Sequence, residues 1–104
     1  MNTSQKFICL TILALTTSIL SSCSTSNGDK TEGKRWYMLH NCSACHGENG
    51  NDGDALSISP PDMNFYFFKK RLRKKDGQIM PYFSQEKLSN DDAADIYVFL
   101  KNTK

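Results

Sequence analysis

The sequence has little net charge and no internal repeat. Its 104 residues carry 13 basic and 11 acidic side chains, which leaves a formal net charge of +2. That balance gives no reason to expect a nucleic-acid partner, because nucleic-acid-binding domains are usually strongly basic. Hydrophobic residues make up 38% of the chain, which excludes a fully disordered protein. The length fits one small domain with a limited core.

The sequence also lacks an apolar run long enough to span a bilayer comfortably. Its longest one covers residues 7–20, follows Lys6, and is typical of a signal-peptide hydrophobic region. The run ends in Leu-Ser-Ser-Cys at residues 20–23, which resembles the lipobox of bacterial lipoproteins, where the cysteine is acylated. We therefore predict a lipoprotein signal peptide over residues 1–22 and a lipid on Cys23. The alternative is an ordinary secretory signal with a cysteine nearby.

Small polar residues follow the predicted lipidation site. Residues 23–31 have the composition of a flexible tether. A folded domain is then expected over residues 32–104. The predicted location is the periplasmic side of a bacterial membrane, where the lipid anchors the domain.

Two of the four cysteines lie beside a histidine. Cys42, Cys45 and His46 form the pattern Cys-x-x-Cys-His, which is typical of c-type haem attachment. Each thiol adds to one porphyrin vinyl group, and the histidine is then held where an imidazole nitrogen binds the iron. One covalent haem c is therefore expected. Zinc is a remote alternative, because only His46 accompanies the cysteine pair and the other histidine, His40, is badly placed.

Met80 is the best candidate for the second iron ligand. It follows Gly77 and precedes Pro81, which predicts an extended loop outside a helix. A thioether is soft and neutral, and His/Met ligation raises the haem potential relative to two histidines. The alternatives are two other methionines and a histidine, namely Met38, Met63 and His40. Two of these are too near His46 in sequence to reach the opposite haem face, and the third lacks a following proline.

A rigid segment is expected to orient the histidine. Pro60 and Pro61 follow a glycine-rich loop over residues 47–54, and proline fixes an extended backbone. A carbonyl of one of them is expected to accept the second ring N–H of His46, and the sequence leaves open which one. The loop also suggests a calcium site, but its spacing does not match an EF-hand.

Three helices are predicted in the domain. The first covers residues 32–41 and contains Gly33, which either lies at a frayed helix start or permits close approach of another helix. The second covers residues 63–75. The third follows Ser89, an N-cap candidate, and has an apolar stripe at helical spacing. We expect this stripe to pack on the first helix, with Tyr97 or its neighbours over the glycine.

The second predicted helix ends in a dense basic run over residues 69–75. One interpretation is a solvated helix end whose charges the helix dipole favours. The other is a docking patch for an acidic redox partner, where attraction raises the association rate. An anionic membrane surface is a third alternative.

Together these features resemble class I monohaem cytochrome c. The resemblance rests on the haem motif, the glycine-rich loop, the Met80 segment with its following aromatics and the terminal helix, and it covers residues 32–102. It implies a small all-α domain wrapped around a covalent haem, with crosswise N- and C-terminal helices. It also implies one-electron transfer rather than enzyme catalysis, with redox proteins of a respiratory or related chain as partners.

The function expected from the sequence is a membrane-anchored electron carrier with a six-coordinate His/Met haem. One alternative is a haem subunit of a larger oxidoreductase complex. Another is a haem enzyme or gas-binding sensor, which requires that Met80 be displaced easily from the iron.

Overall fold

The domain is built from helices alone in the residues that the structure describes. A computed structural model describes residues 28–77 and 79–103. The four helices are α1 (Lys30–Leu39), α2 (Ser43–His46), α3 (Phe65–Leu72) and α4 (Asn90–Lys101). No helix in these ranges is long and apolar enough to cross a bilayer. The all-α prediction is confirmed, whereas the signal peptide and Cys23 lie outside the described residues.

Helix α1 begins earlier than the sequence suggested. Asp29 is its N-cap, because the Asp29 carboxylate accepts a 2.8 Å hydrogen bond from the backbone N–H of Glu32. The N–H of Asp29 in turn donates to Asp95 Oδ1 on α4 at 2.7 Å. Residues 29–31 therefore belong to the folded domain, although the sequence placed them in the tether over residues 23–31.

Helices α1 and α4 approach each other closely at Gly33. A Cβ built on Gly33 would overlap the Asp95 backbone and lie 2.8 Å from Phe99 Cβ. Only a residue without a side chain permits this distance between the helices. The prediction of close approach is confirmed, and the partners of Gly33 lie two residues before and two residues after Tyr97.

The core fills the space between α1, α3 and α4. Tyr37 on α1 and two residues of α4, Ala93 and Leu100, are fully buried. The rings of Tyr37 and Phe99 lie 5.4 Å apart between centroids. Among the described residues, the other buried apolar residues are Phe68, Leu72, Phe83, Leu88, Ile96 and Phe99.

Tyr97 has a different partner from the one expected. It is half-buried at the edge of the core, and its ring lies 5.6 Å from Phe65 and 5.3 Å from Phe68 on α3. Its hydroxyl donates to the Met63 carbonyl at 2.9 Å. Tyr97 therefore joins α4 to α3, not to α1.

Helix α3 is shorter than the predicted helix over residues 63–75. Its N-cap is Asn64, whose side-chain oxygen accepts the N–H of Phe67 at 3.2 Å. The helix ends at Leu72, and the Leu72 carbonyl accepts the N–H of Phe83 at 3.0 Å. This long-range bond takes the acceptor that the next helical turn would use, and the described residues before Phe83, 73–77 and 79–82, lie outside any helix.

Helix α4 begins where the sequence predicts. The Ser89 hydroxyl accepts the N–H of Asp92 at 3.1 Å, which confirms Ser89 as the N-cap. The first turn carries Asp91 and Asp92, and the last turn carries Lys101. The charges at both ends interact favourably with the helix dipole.

Replacement of Gly33 with alanine is expected to destabilise the domain. Overpacking costs about 1–3 kcal/mol, which exceeds the gain of about 1 kcal/mol in helix propensity. The thermal midpoint of the helical circular dichroism signal should therefore fall. Thr31→Ala, at an exposed position of the same helix, is the control and should not lower it. Equal midpoints for Gly33→Ala and the wild type would contradict the close approach.

Candidate haem-binding site

Helix α2 is a single turn that carries Cys45 and His46, and Cys42 is its N-cap residue. The N–H of His46 donates to the Cys42 carbonyl at 3.0 Å, so the turn is α-helical. Residues three and four apart lie on one face of such a turn, which places Cys42, Cys45 and His46 together. Neither thiol is in a disulfide. The structure thus groups three of the four predicted haem contacts.

The two thiols differ in their surroundings. Cys42 is half-buried against the core and Cys45 is exposed. In the unmodified chain, burial raises the pKa of the Cys42 thiol to about 11. At neutral pH this thiol is therefore uncharged, which suits its place next to the apolar core.

The His46 ring is oriented by a backbone carbonyl. His46 Nδ1 lies 2.9 Å from the Leu56 carbonyl oxygen. Because a carbonyl only accepts, the proton sits on Nδ1 and Nε2 keeps its lone pair for a metal. An orienting carbonyl was predicted, but its assignment to Pro60 or Pro61 is wrong, since the structure gives this role to Leu56.

Two glycines let the loop return to His46 before the chain reaches Pro60 and Pro61. Gly47 has φ +82°, and Gly53 lies so close to Cys45 that a Cβ there would overlap its backbone. The N–H of Ala55 then donates to the Cys45 carbonyl at 2.9 Å. This bond places the next residue, Leu56, beside the imidazole.

Asp52 forms hydrogen bonds within the same loop. Its carboxylate accepts the backbone N–H of Asn49 at 2.9 Å and the Asn49 side-chain amide at 3.1 Å. The backbone N–H of Asn49 is the main reason that the pKa of Asp52 lies below its usual range. The acidic loop residue thus has a structural partner within the loop.

The proline segment has a different contact. Pro60 is exposed, while Ser59 before it is buried and donates from its hydroxyl to the Leu100 carbonyl at 2.9 Å. The N–H of Ile58 donates to the Gly50 carbonyl at 2.7 Å. The first bond ties the segment to the end of α4 and the second ties it to the glycine-rich loop, and neither involves His46.

Tyr37 forms a hydrogen bond with Gly47, the residue that follows His46, and the sequence did not predict this role. Its buried hydroxyl donates to the Gly47 carbonyl at 2.7 Å. Burial raises the pKa of Tyr37, with smaller contributions from Cys42 and Asp52, so the phenol remains a donor well above neutral pH. No sequence pattern marks a hydrogen bond between residues ten apart.

Met80 lies in the loop between α3 and Phe83, on a different segment from α2. Its side chain is partly exposed. Gly77 lies close to it, since a Cβ on Gly77 would be 3.2 Å from the Met80 carbonyl oxygen. The loop closes at its base through the bond between Phe83 and Leu72. The assignment of Met80 to the iron stays a prediction.

The competing ligands are held elsewhere. The His40 ring lies 6.2 Å from Trp36 and 5.8 Å from Phe83 between centroids, which gives it an aromatic packing role. Met63 packs against the core and Met38 is exposed on α1. Among residues 28–77 and 79–103, no group of three or more His, Cys, Asp or Glu side chains is placed to hold a metal ion. The four-ligand set of a zinc site is thus not assembled there.

The donor set and its neighbours fit a haem. Two free thiols and a histidine with an available Nε2 share one turn. Leu56, whose carbonyl contacts His46, is 84% exposed, and Ile79 and Tyr82, which lie within two residues of Met80, are 94% and 39% exposed. These apolar side chains are available to contact an apolar group such as a porphyrin. Cys42 and Cys45 would hold the porphyrin, and His46 would bind its iron.

Replacement of Tyr37 with phenylalanine is expected to lower the free energy of unfolding of the haem-loaded protein by about 1 kcal/mol. The Gly47 carbonyl would lose its donor in a partly buried site. Denaturant titration measures this change, and Tyr66→Phe, at an exposed position, is the control. Equal unfolding free energies for the two variants would contradict a role for the Tyr37 hydroxyl.

Comparison with known proteins agrees with the geometry. A family model described as Cytochrome C oxidase, cbb3-type, subunit III matches residues 28–100, most of the chain. No curated protein and no solved structure gives a significant match. The matched residues include the α2 turn, Leu56 and Met80. The chain therefore belongs to the c-type cytochrome family, whose members carry covalently bound haem c.

Proposed function

We propose that the protein is a one-electron carrier whose haem is held by Cys42 and Cys45 and whose iron is bound by His46 and Met80. The observation that carries the proposal is the 2.9 Å contact between His46 Nδ1 and the Leu56 carbonyl, which leaves Nε2 for the iron. Membership in the c-type cytochrome family supports haem-based electron transfer. The haem supplies reversible one-electron chemistry when bound.

The residues around the histidine keep it in one orientation. The Leu56 carbonyl fixes the ring on one side of the turn, and the Tyr37 hydroxyl fixes the residue after it. A hydrogen bond at Nδ1 also makes the imidazole a more basic ligand. With Met80 at the remaining position, no site is open for a substrate, which favours electron transfer over catalysis.

The exposed part of the basic run is the proposed docking surface for an acidic redox protein. The exposed cations of the run are Lys70, Arg71, Lys74 and Lys75. Lys69 is half-buried and lies 5.2 Å from the Phe65 ring centroid, and Arg73 is also half-buried. Attraction between exposed charges acts mainly on the association rate.

We further propose that a lipid on Cys23 anchors the protein at the periplasmic side of a bacterial membrane after removal of residues 1–22. Gly28 already contacts α4, because a Cβ on it would lie 2.8 Å from the Ala94 carbonyl oxygen. Four residues, 24–27, lie between Cys23 and Gly28 in the sequence. A lipid on Cys23 would concentrate the carrier near membrane-bound partners.

A second candidate function is that of a haem subunit within a larger oxidoreductase. It is favoured by the family description, which names an oxidase subunit. Purification of the native protein from membranes distinguishes the two. Recovery as a single chain favours the carrier, and stable co-purification with other subunits favours the complex.

Replacement of Met80 with alanine is expected to abolish the methionine-to-iron(III) charge-transfer band. The ferrous variant should also bind carbon monoxide, whereas the wild type should not. Visible spectra at neutral pH measure both effects, with Met63→Ala as the matched control. A band that survives in Met80→Ala and disappears in Met63→Ala would assign the ligand to Met63. Carbon monoxide binding by the wild type would favour a gas-binding sensor.

Reversal of two exposed charges is expected to slow oxidation by an anionic reagent. In Lys70→Glu/Arg71→Glu, the second-order rate constant for oxidation by hexacyanoferrate(III) should fall several-fold at low ionic strength and approach the wild-type value at high salt. Lys87→Glu/Lys101→Glu is the charge-matched control, since both positions are exposed. Equal rate constants for the two double variants would exclude the basic run as the preferred contact surface.

A further inference from the structure

Arg73 differs from the other cations of the basic run. It is half-buried, and its guanidinium is directed at the chain that follows the Met80 loop. It donates to four oxygens, the carbonyls of Phe83, Ser84 and Leu88 and the Asn90 side chain, at 2.8, 3.5, 2.8 and 3.1 Å. One side chain thereby connects the end of α3 to the start of α4.

The guanidinium suits these acceptors better than an ammonium group. Nη1 donates to the Phe83 carbonyl, while Nη2 donates to the Leu88 carbonyl and the Asn90 side chain. A planar fork with several fixed donors reaches both sets at once, whereas a lysine carries its donors on one nitrogen. The three shortest of these hydrogen bonds therefore depend on the shape of arginine as well as on its charge.

These bonds close the base of the loop that carries Met80. The N–H of Phe83 donates to Leu72 at 3.0 Å, and the Phe83 carbonyl accepts from Arg73, the residue after Leu72. Phe83 is thus held at both of its backbone polar groups. Its ring is buried and contacts His40 edge-on. Because Met80 lies only three residues before Phe83, this base limits where the thioether can go.

We propose that Arg73 is a positioning residue that holds the Met80 loop and thereby sets how tightly the Met80 thioether binds the iron. The inference rests on the proposed His/Met ligation. The helices α1 and α4 have their own contact at Gly33 and do not need the Arg73 bonds. Loss of these bonds should therefore release the methionine well before the domain unfolds.

The test is competition between added imidazole and the methionine in the haem-loaded ferric protein. Arg73→Met keeps much of the side-chain length and removes the donors, so its apparent imidazole affinity should rise about tenfold. Arg73→Lys keeps the charge without the fork, so its affinity should lie between those of the wild type and Arg73→Met. Arg71→Met removes an exposed charge nearby and should change the affinity by less than about twofold.

The outcomes separate this proposal from the one on which it rests. A wild-type ferric protein without the charge-transfer band overturns His/Met ligation, and the role of Arg73 with it. A wild type with the band, together with equal imidazole affinities for Arg73→Met and Arg71→Met, overturns the role of Arg73 alone. So does a lower thermal midpoint for Arg73→Met at unchanged affinity. Should Arg73→Met fail to fold, wild-type affinity in Arg73→Lys overturns the proposal.

Discussion

The hydrogen bond from His46 Nδ1 to the Leu56 carbonyl is the interaction on which the site depends. It selects the tautomer that leaves Nε2 available to a metal. The bond forms because Gly47 and Gly53 let the loop turn back on the cysteines, and because Tyr37 holds the residue after the histidine. Tyr37 is buried by the packing of α1 on α4, so the helix contact also supports the orientation of the ligand.

The two sides of the proposed haem site are held differently. The histidine side uses bonds between residues at most ten apart in sequence, all within the loop and the helix before it. The methionine side uses bonds that join the ends of a loop, and these converge on Phe83 and Arg73. If both residues bind the iron as proposed, the histidine and the methionine are held by separate sets of contacts.

Sequence patterns predicted the features that short-range chemistry determines. The haem motif and the N-cap at Ser89 follow from residue type and spacing alone, whereas Gly33 left close approach and a frayed helix start as alternatives. The end of α3 could not be predicted, because it depends on a bond between Leu72 and Phe83 across a loop. Composition likewise did not distinguish Arg73 from its exposed neighbours. Nor did it identify Leu56, rather than Pro60 or Pro61, as the carbonyl that contacts His46, because glycine dihedral angles decide where the loop returns.

The central claim is that one histidine and one methionine bind the iron in both oxidation states, as an electron carrier with little ligand change requires. X-ray absorption at the iron edge of the ferric and ferrous protein tests it most directly. A His/Met site should show one sulfur neighbour beside the nitrogen ligands in both states, at nearly unchanged distance. Absence of the sulfur in either state would contradict a closed His/Met site and would favour ligand exchange at the iron.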